Sequence, residues 1–342
     1  MITYAFMGLF AITYALVTLW GVRYFPDKDS FLSKEDAGFL RALWCIIVIL
    51  VHVPAIFQNP IQDMLGSFAY IGVTFFFLTS GFGLKYSVAH KEGYMKHFWR
   101  RRLPGLLVPA AIICVVIIVA LTILGSSAYW SFIYNSICWV FVLLVLYVAF
   151  WLVYRVIPAL FRLSDGRWQD VTICLIVVAF SLIDRFTSFK VTLIWVVEPL
   201  GFAYGVIAAC HIEKIKRRIG EKWLLKTLIL LVLSLALGVA YLKFKYVPVA
   251  GDYIIKILLG IAITMLIFQA LGRIKVGNRV NRFIGNISYE VFLAHGFVLN
   301  MMALVFRKHP DMSGPYICAC ILATILLAAV VNRLSRLITR KK

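Results

Sequence analysis

The chain has 342 residues, 63% of them hydrophobic and only 15% charged, with a mean hydropathy of +0.93. That composition excludes a soluble globular domain and predicts an all-α, polytopic membrane helical bundle. The formal net charge of +20 admits a nucleic-acid partner in principle, but its distribution along the chain removes that reading.

Eleven apolar stretches, at 2–20, 38–57, 65–86, 103–125, 134–154, 169–187, 191–210, 223–243, 252–272, 283–306 and 314–333, are each near the roughly 20 residues that cross a bilayer core. The connections at 21–37, 85–102, 155–168, 211–222, 273–282 and 333–342 hold 26 Lys and Arg, whereas the opposite side holds six. Positive-inside asymmetry places the basic set in the cytoplasm. With an odd number of spans, the N-terminus is expected outside and the C-terminus inside a cell membrane. Topology accounts for the basic excess, so no nucleic-acid partner is expected and the lipid bilayer is the first partner.

The first stretch lacks a basic leader and a small-residue cleavage site, and reads as a retained helix. With its loop it forms an extra segment, 1–35, ahead of a membrane domain at 36–335 and a basic tail at 336–342. The second stretch carries Arg41 and His52 in an otherwise apolar run. Eleven positions at 100° place both on one face, roughly 16 Å apart. Ionisable groups inside a span tend to line a polar cavity or substrate path. The plainer alternative is a snorkelling Arg41 and a His52 satisfied by a neighbour.

In the third stretch Thr79, Ser80, Gly81 and Gly83 interrupt an aromatic run. Small residues permit close helix approach and hydroxyls can bond across helices, so packing and chemistry are both open. Lys96, His97, Arg100, Arg101 and Arg102 follow. Three arginines offer planar forks for phosphates, and they equally make an ordinary topogenic cluster. Asp184 stands beside Arg185 near the end of the sixth stretch. Glu198 precedes Pro199, a charge next to a breaker that predicts a kink opening into the bundle. In the tenth stretch Glu290 and His295 are again ionisable groups among apolar ones, and Gly285, Asn286 and Ser288 suit a cap or a helix break. The seven cysteines lie mostly within spans without a Cys-x-x-Cys pair. No disulfide framework and no metal site are expected.

Together these segments resemble the acyltransferase-3 family, integral membrane acyltransferases that modify bacterial surface and exported glycans. The resemblance rests on Arg41 and His52 ten residues apart, Phe77-Leu-Thr-Ser-Gly-Phe82 and the Arg100-Arg-Arg-Leu-Pro104 turn. It rests further on Trp139 with Tyr147, Gly205 before a basic loop, and Ile287-Ser-Tyr-Glu-Val-Phe-Leu-Ala-His295. It covers about 36–335 and implies a ten-helix core, so 2–20 is an addition. The hydrolase-like domain carried by some members is not expected here.

The resemblance implies transfer of an acyl group, commonly acetyl from acetyl-CoA as co-substrate, to a hydroxyl of a carbohydrate acceptor. It implies that Arg41 and the arginine turn handle the donor and that His52 is central to catalysis. On this reading Arg100, Arg101 and Arg102 meet the CoA phosphates and the pantetheine arm passes Arg41. His52 is then a general base, or carries the acyl group itself. Ser80 positions His52 or donates to the developing oxyanion. Glu290, His295 and Tyr289 orient base or acceptor, and Trp139 and Glu198 contact substrate. The competing expectation is a transporter or flippase for a glycan or lipid-linked sugar, with the intramembrane His, Glu and Arg as coupling groups. No internal repeat is visible in support of it.

Overall fold

The computed structural model describes residues 2–26, 28, 30–53, 66–163, 166–306 and 313–339, the side chains of 2–7 and 313 excepted. Residues 54–57 and 65 of the expected spans, the loop cations Arg307 and Lys308, and the tail beyond residue 339 lie outside the described residues. The described chain is almost entirely helical. In order, the helices are α1 (Ile2–Leu19), α2 (Lys34–His52), α3 (Ala69–His90), α4 (Phe98–Ile123), α5 (Tyr129–Trp151), α6 (Ile157–Phe161) and α7 (Arg167–Phe186). There follow α8 (Leu200–Cys210), α9 (Ile212–Gly220), α10 (Trp223–Phe244), α11 (Lys256–Leu271), α12 (Arg279–Asn286), α13 (Ser288–Phe306) and α14 (Ser313–Thr339). A π turn, Leu152–Val156, joins α5 to α6, and another, Ala250–Ile255, leads into α11.

Among the described residues seven helices are long and apolar enough to cross a membrane: α3, α4, α5 with α6, α10, α11, α13 and α14. The outward face of α10 is a run of exposed apolar side chains, including Leu228, Val232, Leu235 and Val239, as a lipid-facing helix requires. The chain is an all-α, multi-pass membrane protein. The other four expected spans are α1, α2, α7 and α8. Of these, α2 and α7 are helices of 19 and 20 residues that carry charges at their ends, and Gly8–Leu19 of α1 is a shorter apolar helix.

The stretch at 191–210 departs from expectation. Only Leu200–Cys210 is helical, 11 residues long, and it starts at Pro199, whose missing N–H costs nothing at a helix N-terminus. The irregular chain before it is satisfied locally, as backbone inside a bilayer must be. The buried Asp184 carboxylate accepts from Val191 N at 2.5 Å, from Thr192 N at 2.8 Å and from the Thr192 hydroxyl. Ser181 donates to the Val196 carbonyl at 2.7 Å. Asp184 is thus the anchor of this loop. The stretch at 283–306 also divides, into the amphipathic α12 and the apolar α13, with Asn278 capping α12 by accepting from Asn281 N at 2.8 Å.

Two devices bring the helices of the site together. The first is close approach of α3 and α8. A Cβ on Gly81 would lie 2.1 Å from the Phe202 carbonyl oxygen, one on Gly201 2.1 Å from that of Thr74, and one on Gly205 2.1 Å from that of Leu78. Gly201 and Gly205 are four apart on one face of α8, the small-xxx-small spacing that lets membrane helices touch backbone to backbone. Gly205→Val is expected to force the pair apart, costing about 1–3 kcal/mol or more. A thermal unfolding midpoint in detergent equal to that of the unaltered protein would contradict this.

The second device ties the segment after α1 to the bundle. Ser33 and Asp36 form a reciprocal capping box at the start of α2: Asp36 N donates to Ser33 Oγ at 3.2 Å, and Ser33 N donates to Asp36 Oδ2 at 2.9 Å. The other Asp36 oxygen meets Lys28 Nζ at 2.8 Å, and the same ammonium reaches the Leu271 and Ile274 carbonyls at 2.7 and 3.0 Å. Arg23–Tyr24 pairs antiparallel with Ile274–Lys275. Asp36→Ala removes the cap and strands a buried ammonium, a loss of about 3–5 kcal/mol. Denaturant unfolding of the purified variant measures it.

Candidate active site

Between α2, α3, α4, α5 and α13 lies a cavity of about 750 Å³, within the range of small-molecule sites. Its mouth is cationic, with Lys34, Arg101, Arg102 and Lys216 on the wall, and its interior is mainly aromatic, with Phe77, Trp139, Tyr147 and Tyr289. Arg41 lines it from α2, and among the described residues no carboxylate pairs with Arg41. The Arg41 Nε donates to the Ala37 carbonyl of its own helix at 3.2 Å, which holds the guanidinium against the helix.

The α3 segment resolves into two faces. Gly81 is spent on contact with α8, while Thr79, Ser80 and Gly83 line the cavity. Successive helical residues are 100° apart, so packing and chemistry divide between neighbours. The Thr79 hydroxyl is bound to the Phe76 carbonyl at 3.0 Å. The same geometry separates the three arginines at the start of α4. Arg101 and Arg102 reach the cavity, whereas Arg100 is exposed and off it. Tyr94 organises the pair: its hydroxyl accepts from Arg102 Nε at 2.6 Å, and both guanidinium carbons stand over its ring, at 5.6 and 5.7 Å from the centroid. Such cation–π stacking fixes a planar fork without neutralising its charge.

At the inner end, Tyr289 donates its hydroxyl to the Leu106 carbonyl at 2.6 Å and sets its ring against Trp139, 5.2 Å between centroids. Trp139 packs on Phe292 at 5.4 Å, and Phe292 meets Phe76 edge to face at 4.3 Å. The Trp139 Nε1–H is buried and makes no hydrogen bond among the described residues. Phe76 and Phe292 close the cavity. Beyond Phe292 stands His295, its ring 5.9 Å from the phenyl, and His52 lies 5.0 Å from His295. The His295 Nδ1 lies 2.8 Å from the Phe292 carbonyl oxygen. A carbonyl only accepts, so Nδ1 is the donor and a neutral His295 keeps its lone pair on Nε2.

The structure therefore brings together Arg41, Ser80, Arg101, Arg102, Trp139 and Tyr289 around one cavity, and His52 with His295 just past its inner end. Neither histidine lines the cavity itself. Besides Arg100, two further expected site residues stand off the cavity. Glu290, expected beside the base, is buried against α14, where one oxygen accepts from Asn332 Nδ2 at 2.7 Å and the other has no partner among the described residues. Being adjacent to the cavity-lining Tyr289, it necessarily points about 100° away. Glu198, expected to contact substrate, is held in a buried ion pair with Lys256 at 2.7 Å, whose ammonium also stands over Tyr70. Its opposite charge is supplied 58 residues away along the chain, so proximity to Pro199 was a poor guide.

Residues not anticipated are Lys34, Lys216, Phe76, Phe292 and the Ser30–Ser33 wall. The capping pattern Ser33-x-x-Asp36 was the available signal that this loop docks. Tyr147 carried part of the resemblance without an assigned role.

A family model described as an acyltransferase domain matches residues 36–333. The chain belongs to the acyltransferase-3 family. No curated protein and no solved structure matches it. The match on this membrane acyltransferase begins at Asp36, so the loop at 30–34, which completes the cavity mouth, lies outside the matched domain.

Proposed function

We propose that this acyltransferase moves an acyl group, acetyl in the simplest case, from acyl-CoA to a hydroxyl of a cell-surface or exported glycan. The observation that carries the reading is a single cavity that starts at arginine and lysine side chains and ends one phenyl ring short of two histidines. Phosphates suit the Arg101 and Arg102 forks, and a thioester arm suits the aromatic interior. The unpartnered Trp139 N–H offers a donor to the amides of that arm.

In the reaction, His52 takes the proton of the acceptor hydroxyl while its oxygen attacks the thioester carbonyl carbon. The carbon–sulfur bond then breaks, and the leaving thiolate of CoA takes the same proton from the His52 imidazolium, which restores the neutral base. On this reading Ser80, which lines the cavity, donates to the oxyanion or holds the arm, and the thioester reaches the histidines when Phe292 turns aside. The alternative in which a histidine first accepts the acyl group uses the same atoms in two displacements. The basic mouth faces the cytoplasm on this reading, where acyl-CoA is made, and the histidine pair faces the acceptor outside.

The test is mass spectrometry of surface glycans from cells with and without the enzyme. Loss of one class of acyl substituent from an otherwise normal glycan is expected. Unchanged acylation, or altered export of a glycan that carries no acyl group, would overturn the assignment.

A further inference from the structure

A second recess, of about 740 Å³, lies outside the donor cavity and shares only Tyr94 with its supporting residues. It is formed by the end of α3, the turn before α4, the π turn after α5 and the start of α7. Its one inward carboxylate, Asp170, is already engaged by Lys85 Nζ at 2.5 Å and by the Tyr154 hydroxyl. What remains among the described residues is Lys91, Lys96, Arg155 and Arg167 against the carboxylate of Glu92. None of these four cations is in an ion pair among the described residues. Arg155 sits in the π turn, a local widening often found where a helix is adapted to a function.

The shoulder of this recess is apolar and faces outward. Directly after Pro158 and Ala159, which line it, Leu160, Phe161 and Leu163 are exposed at 71%, 65% and 46%. A cationic floor beside exposed hydrocarbon at the end of membrane helices matches the chemistry of an anionic phospholipid. We propose that this recess seats the phosphate of such a lipid, with its acyl chains along Leu160, Phe161 and Leu163. The site is separate from the donor cavity, although Tyr94, which orients Arg101 and Arg102, forms part of its wall.

The full-length protein, reconstituted in nanodiscs of mixed phosphatidylglycerol and phosphatidylcholine, is released into native mass spectrometry. Preferential retention of phosphatidylglycerol is expected, falling about fivefold for each cation removed in the Lys91→Gln and Arg155→Gln variants. The Arg218→Gln variant loses as much charge elsewhere as either of these and is expected to keep the retention. Equal loss in that control would mean a general charge effect and would overturn the site. A photoactivatable phosphatidylglycerol should label residues 155–163 of the unaltered protein, a result independent of how any variant folds. Labelling confined to other segments, or displacement of the lipid by equimolar CoA or inorganic phosphate, would show either no lipid seat or one for soluble phosphates, and either ends the proposal.

Discussion

His52→Ala is expected to abolish acyl transfer while leaving the protein folded. General-base catalysis contributes about 10²–10⁴-fold, and an acyl-histidine route would lose more, so turnover of the variant should fall by at least that factor. Stability should hold, because His52 is exposed at the end of α2 and its ring contact among the described residues is His295. The measurement is transfer of label from acetyl-CoA to a membrane glycan fraction by reconstituted protein, beside a thermal melt. An active His52→Ala enzyme removes the base assignment and leaves the cavity reading intact. His295→Ala has a different expected signature. It loses the imidazole whose Nδ1–H is held by the Phe292 carbonyl and whose Nε2 keeps its lone pair to orient a neighbour, so kcat falls while KM for the donor stays unchanged.

The second large effect is on donor affinity. Replacing both Arg101 and Arg102 with alanine removes two charged forks from the cavity mouth. Hydrogen bonds to charged groups are worth about 1.5–3 kcal/mol each, so KM for acyl-CoA should rise about 10- to 100-fold per arginine, with kcat affected less. Arg100→Ala is the internal comparison, because that side chain is exposed and off the cavity. If the single alanine variants of Arg100, Arg101 and Arg102 behave alike, the arginines act through general charge and the donor phosphates do not dock on the two that line the wall. Tyr94→Phe should lie between: it keeps the ring beneath both guanidinium groups and loses the acceptor for Arg102 Nε.

Much of this was legible because it is local. Hydropathy runs near the thickness of a bilayer, and the 3.6-residue period put Arg41 and His52 on a common face. Asn286 and Ser288 announced the break between α12 and α13, while Pro199, read as a kink within a span, stands at the start of the shorter α8. Each of these rules needs only residues within a few positions of one another. The amino-acid order alone therefore determined an all-helical, multi-pass membrane chain, and its motifs pointed to the acyltransferase family.

The tertiary structure decided which of the candidates share a site. Nothing near Glu198 in the chain reveals that Lys256 neutralises it, and nothing near Glu290 reveals Asn332. Arg100 parts from Arg101 and Arg102 only because α4 docks with one particular face inward. Gly81 and Ser80 take opposite duties once α8 is pressed against α3. The distance from the cavity to the histidines is likewise set by where Phe76 and Phe292 meet across two helices. The physical reason is common to all of these. A helix fixes its own faces through hydrogen bonds four residues long, but which face meets which neighbour follows from burying and fitting surfaces that lie far apart in the chain.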